Sequence, residues 1–127
     1  MREILFRAKT ADENVWIYGD IFHSGAEPEI MRIHDYKNRV NYAVNPETLG
    51  QYTGLTDNNG VKIFEGDIIK STTSDTIGKV GYYPEEGAFM VLFNASSGYG
   101  YCVGCLGDIN MSTIEIIGNI YDGELKT

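Results

Sequence analysis

The chain has 127 residues, 43% of them apolar and 12% aromatic, which suits one domain, divisible into β subdomains of about 1–50 and 51–127. Ten Lys and Arg against 18 Asp and Glu leave a net charge of −8, which argues against general binding of a phosphate backbone. No apolar run approaches the roughly 20 residues of a membrane span, the first residues lack a signal core, and two cysteines make no disulfide framework. A cytosolic protein with no membrane association is expected.

Nine tyrosines, fifteen glycines and three prolines favour strands joined by tight turns. Ile4 to Ala8 predicts a first strand, paired across Asp12-Glu13-Asn14 with Val15 to Tyr18. Ile30 to Tyr36 and Arg39 to Val44 predict a second pair around Lys37-Asn38. Asn45-Pro46-Glu47-Thr48-Leu49-Gly50 has the signals of one short helical turn: Asn as cap, Pro at the first position, Gly as stop. Gln51 to Leu55 and Val61 to Lys70 form a hairpin around Asn59-Gly60. A further hairpin joins Thr76–Tyr83 to Ala88–Phe93 through Pro84-Glu85-Glu86-Gly87. Tyr99–Val103 and Ile114–Tyr121 supply the last strands.

These elements predict an all-β protein of small antiparallel barrels, SH3-like in the part from about Gln51 onward. The structural signature is Gly54, Asn59, Gly60, Gly66 and Asp67. Val61 and Ile63 are apolar on odd positions, Phe64 and Ile68 on even ones, so a one-residue bulge at Glu65-Gly66 is expected to switch the parity. Gly19-Asp20-Ile21, Gly66-Asp67-Ile68 and Gly118-Asn119-Ile120 echo one another, which suggests a recurrent strand bend with the Asx side chain bonding nearby backbone, or a duplicated β unit.

Residues 2–8 (REILFRA), residues 45–55 (NPETLGQYTGL), Asp57 through Ile68, and residues 114–121 (IEIIGNIY) resemble the YopX family. The resemblance spans nearly the whole chain, with variable stretches around 23–42 and 71–112. It implies a phage or prophage origin, a bacterial cytoplasm and an all-β fold with a barrel-like part. It implies no activity and no catalytic residues.

Four groups of residues carry chemistry worth weighing. Cys102-Val103-Gly104-Cys105 has redox or zinc spacing, but a strand reading surrounds it and two further zinc ligands are lacking. Asp20, His23 and Ser24 are triad types set too close together to converge. Glu65 and Asp67 read as turn residues before paired acids. Arg32, His34 and Tyr36 alternate and so share a strand face, with Lys37 and Arg39 beside them. That set is the candidate interaction surface.

No catalytic, cofactor or metal residues are assigned. The expected function is a non-enzymatic phage accessory protein that binds a host or phage protein. The alternative is a nucleic-acid-associated regulator using the Arg32 to Arg39 face, which the net charge disfavours. Unpaired sheet edges leave room for a homo-oligomer.

Overall fold

A computed structural model describes residues 3–73, 76–85, 87–94, 101–105 and 110–123, and of 93, 94 and 101–105 the backbone alone. Its strands are β1 (Phe6–Lys9), β2 (Trp16–His23), β3 (Met31–Asp35), β4 (Val40–Ala43), β5 (Gly50–Thr56) and β6 (Lys62–Phe64). They continue with β7 (Asp67–Ser71), β8 (Ile77–Tyr83), β9 (Ala88–Asn94), β10 (Tyr101–Cys105) and β11 (Ile114–Asn119). The protein is all-β, with two antiparallel sheets. Neither ladder closes on itself among the described residues, so any barrel-like character comes from bent strands rather than from a hydrogen-bonded ring. The chain divides into two compact units, Met1–Tyr52 and Thr53–Thr127, with the boundary inside β5.

In the first unit the strand order is β4-β3-β2-β1-β5. β2 changes partner halfway along: Trp16 to Gly19 pair with β1, and Asp20 to His23 pair with β3. The change happens at Gly19, where a β-carbon would lie 1.8 Å from the His34 carbonyl oxygen. Only glycine permits that approach. β2 thus runs to His23, beyond the expected end of the second strand at Tyr18. Ala8, Ile17, Ile33 and Val44 form the core, with Phe6, Met31, Tyr42 and Leu49 against it.

The predicted helical turn is a 3-10 turn, Pro46–Thr48. Asn45 caps it by accepting from the Glu47 N–H at 3.1 Å. Thr48 Oγ1 donates to the Asn45 carbonyl at 2.7 Å and accepts from the Lys9 N–H at 2.8 Å, tying the turn to β1. Gly50 opens β5 instead of stopping the helix, because Leu49 already closes the turn onto Pro46.

In the second unit β5 pairs with β6, and β7 to β11 form a sheet of order β10-β9-β8-β7-β11. Ile63, Ile69, Val80, Val91 and Ile114 make its core, with Leu55, Phe89, Met111 and Ile116 packed on them. The Asn59-Gly60 turn is closed by Gly60 N–H to Asp57 C=O at 3.0 Å and Asp57 N–H to Val61 C=O at 2.8 Å. Asp57 is buried, and both its oxygens work. Oδ1 accepts from the N–H groups of Asn59 and Val61, each at 2.9 Å, and Oδ2 accepts from the Ile116 N–H at 3.1 Å. One carboxylate thus holds both the turn and β11. At Gly54, where φ is 89°, Thr53 Oγ1 donates to the Ile63 carbonyl at 2.9 Å and accepts from Leu55 N–H at 3.2 Å, bridging the kink.

The expected one-residue bulge at Glu65-Gly66 is corrected to a two-residue corner between β6 and β7. Two inserted residues preserve parity, so Ile63 and Ile69 enter the same core and no switch occurs. Gly66 has φ 90°, donates to the Val80 carbonyl and accepts from the Ile120 N–H. Asp67 stabilises the corner as expected, accepting from the Phe64 N–H at 2.8 Å. The bulge itself lies on β11, between Ile116 and Gly118, where it faces β7.

Gly66→Ala is expected to cost about 1–3 kcal/mol, because the backbone there is strained for any L side chain and the new methyl would meet Tyr121 at 2.9 Å. A urea denaturation midpoint indistinguishable from that of the natural protein would contradict this. Asp57→Asn is expected to cost about 1–3 kcal/mol in the same assay, since its amide nitrogen would face the Ile116 N–H, or an amide flip would strand the turn donors. An unchanged midpoint would show that the carboxylate clamp is dispensable.

Candidate interaction face

Side chains two apart in a strand point the same way. In β2 this sends Ile17 into the core and Trp16, Tyr18, Asp20 and Phe22 to the opposite face. In β3 it sends Ile33 inward and Arg32 and His34 outward. In β4 Tyr42 packs on the core, while Asn41 and Ala43 face outward. Register then builds two lateral rows across three strands. Asp20 lies beside His34, and His34 beside Asn41. Phe22 lies beside Arg32, and Arg32 beside Ala43.

The first row is ordered by hydrogen bonds. His34 Nδ1 lies 2.6 Å from Asn41 Oδ1, so the ring nitrogen donates to the amide oxygen as assigned. The Tyr36 hydroxyl donates to Asp20 Oδ2. The Tyr36 ring meets the His34 ring edge to face, with centroids 4.8 Å apart and planes at 85°. Aromatic pairs prefer this geometry. The Asp20 carboxylate raises the Tyr36 pKa above its usual 10.0, first by accepting the phenol's hydrogen bond and then by its charge.

In the second row Arg32 Nη2 binds Glu27 Oε1 at 3.0 Å. Arg32 Nη1 is shielded from solvent and has no acceptor among the described residues. At the β1 end of the same face, Arg7 and Lys9 flank the Trp16 ring, with Arg7 Cζ 4.6 Å and Lys9 Nζ 5.4 Å from its centroid. Both cations are buried. Tyr18 is 46% exposed, Phe22 40% and Tyr36 63%. These three aromatics are the exposed rings of the face.

Two expectations about this region need correction. The Lys37-Asn38 turn has four residues, Tyr36 to Arg39, between Asp35 and Val40. Tyr36 is therefore a turn residue, and it joins the Arg32 and His34 face by reaching back to Asp20 rather than by strand alternation. The turn is longer because Asp35 organises it: its Oδ1 accepts from Lys37 N–H at 2.9 Å, its Oδ2 from Asn38 Nδ2 at 2.9 Å, and its carbonyl from Arg39 N–H at 2.7 Å. That last bond holds Arg39 at φ 57°, a left-handed conformation uncommon for a long side chain. Lys37 and Arg39 are exposed at the tip.

The remaining candidates are scattered. Asp20 and His23 are three apart on β2 and point to opposite faces, while Ser24 Oγ accepts from Ala26 N–H at 3.2 Å. Glu65 sits in the corner and Asp67 is buried on β7, so they do not share a regular strand. Cys102 and Cys105 lie on β10, and their side chains fall outside the described residues. Among the described residues no three His, Cys, Asp or Glu side chains gather as a metal site requires.

Tyr18, Asp20, Phe22 and Asn41 were absent from the expected surface. The alternation Trp16, Tyr18, Asp20, Phe22 was a legible signal for three of them; Asn41 needed the register.

Residues 5–124, which include every strand of both units, match the family described as YopX protein. The chain belongs to the YopX family. No curated protein matches it. What this YopX protein can do follows from the geometry of the face itself.

The Asp20–Tyr36 contact has a pH signature. A raised folded pKa means the neutral phenol is favoured in the fold. Its contribution is complete below the unfolded pKa of about 10 and is lost as pH rises through the folded value. The difference in absorbance at 295 nm between the natural protein and Tyr36→Phe should report a late-ionising tyrosine, which Asp20→Asn returns toward pH 10. A Tyr36 that titrates normally would remove the contact from solution.

Proposed function

We propose that this YopX family member is a non-enzymatic phage or prophage accessory protein of the bacterial cytoplasm, and that it binds another protein through the β2–β4 face. The observation that carries this reading is the coincidence of exposed Tyr18, Phe22 and Tyr36 with Arg32 and His34 on one ordered sheet face. Aromatic residues and Arg dominate the energetics of protein interfaces. The Asp20, Tyr36, His34 and Asn41 contacts hold these groups in place before binding, which lowers the entropic cost of ordering them.

Single-stranded nucleic acid is the second reading, favoured by the aromatic platform and by Lys37 and Arg39 at the tip. Against it stand the net charge of −8, Asp20 in the centre of the face, and the engagement of Arg32 by Glu27.

The test is affinity capture from phage-carrying cells, followed by titration of the captured partner against the natural protein and a Phe22→Ser/Tyr36→Ser variant. Loss of at least about tenfold in affinity, in a variant whose melting curve still shows a cooperative folded state, is expected. Equal affinity in the variant would overturn the reading. A salt-sensitive oligonucleotide complex lost in the same variant would establish the nucleic-acid reading instead.

A further inference from the structure

We infer that the occupant of the β2–β4 face is a second copy of this chain, packed face to face about a two-fold axis. The inference rests on the reading of this face as a protein-binding surface and adds the identity of what covers it.

Charge makes the choice. Two copies that each carry −8 repel over most of their surfaces. The acids are unevenly spread: residues 53–127 hold four Lys and Arg against ten Asp and Glu, whereas residues 1–52 hold six against eight. On and around the face the signs balance. Asp20, Glu27 and Asp35 stand with Arg32, Lys37 and Arg39. A two-fold interface brings residue i onto residue j and j onto i, so charges meet favourably across it only when both signs lie on one patch. A patch of one sign repels its own copy. This balanced patch attracts it, with Lys37 and Arg39 of each copy, exposed at the turn, drawn toward the acids of the other. A polyanionic partner would meet three carboxylates here, and a basic partner would find a stronger field over the second half of the chain.

The apolar content fits the same occupant. Tyr18, Phe22 and Tyr36 expose aromatic surface on a face where His34 is bonded to Asn41 and Asp20 to Tyr36, and self-association removes that surface from water. β4, the outermost strand of this ladder, is short, and Arg39 and Val40 at its start are exposed. The face, rather than a long edge, is therefore the means of association.

Sedimentation velocity on the full chain, up to about 100 µM, tests this, with Phe22→Glu and Tyr36→Ser as variants and melting curves to show that each is folded. Both positions are exposed, so the variants should fold. The natural protein is expected to be a dimer, and Phe22→Glu a monomer with dissociation at least about thirtyfold weaker. A natural protein that stays monomeric throughout overturns the inference. So does a dimer undiminished in both variants, which would place the interface elsewhere. If the natural protein is monomeric yet captures a different protein that Phe22→Glu loses, the protein-binding reading stands and the second copy is excluded. If neither association responds to the variants, both fall.

Discussion

The approach of β2 to β3 at Gly19 is the constraint on which the interaction face depends. Glycine serves where a bent strand brings another backbone nearer than a β-carbon allows, or where the chain turns through a conformation that side chains resist. At Gly19 the first condition applies, with the His34 carbonyl occupying the space of a side chain. The residues before it pair with β1 and those after it with β3. That handover lays Asp20 beside His34 and Phe22 beside Arg32. Any larger residue at position 19 would push the two strands apart and dissolve both rows.

The second unit meets the same problem with different means. Gly66 turns the chain through positive φ, so β6 and β7 can pair with different strands while Ile63 and Ile69 serve one core. The Gly118 step falls at the bulge of β11, facing β7. Asp57 adds a non-local clamp: its carboxylate closes its own turn and holds Ile116 of a strand 59 residues away in sequence. A buried carboxylate whose oxygens each accept backbone donors is a demanding element, since loss of either oxygen leaves a donor unmet.

How far the sequence foretold this depends on the range of the interaction. Local chemistry was legible. Asn45 before Pro46 announced the capped turn, Asn59-Gly60 the hairpin, and Gly66-Asp67 a break with an Asx bond, because each is decided within four residues. The parity argument failed at Glu65-Gly66 because it assumed one continuous strand. Phe64 is buried on account of a corner, not a bulge. The length of the Tyr36–Arg39 turn was hidden for a related reason: Asp35 recruits four donors across it, and a two-residue turn would have left no room for them. Asn41 joined the site only through register, which no single segment encodes. Cys102 was read correctly as lying in strand, while Cys105 lies on the same strand, two residues beyond its expected end at Val103.

The three Gly-Asx steps also separate folding grammar from surface chemistry. Asp67 accepts from the backbone N–H of Phe64, and Asn119 Oδ1 accepts from Tyr121 and Asp122 N–H groups at 2.9 and 3.0 Å. Both side chains are absorbed by the bend they accompany. Asp20 is different. Its step lies inside a strand whose backbone groups are engaged by two neighbours, so its carboxylate meets the Tyr36 hydroxyl instead. The same dipeptide that elsewhere stabilises a corner here orders an exposed aromatic ring against His34. A residue type placed by the demands of strand geometry thereby organises the surface by which the protein is proposed to bind, and the binding face inherits its rigidity from the fold.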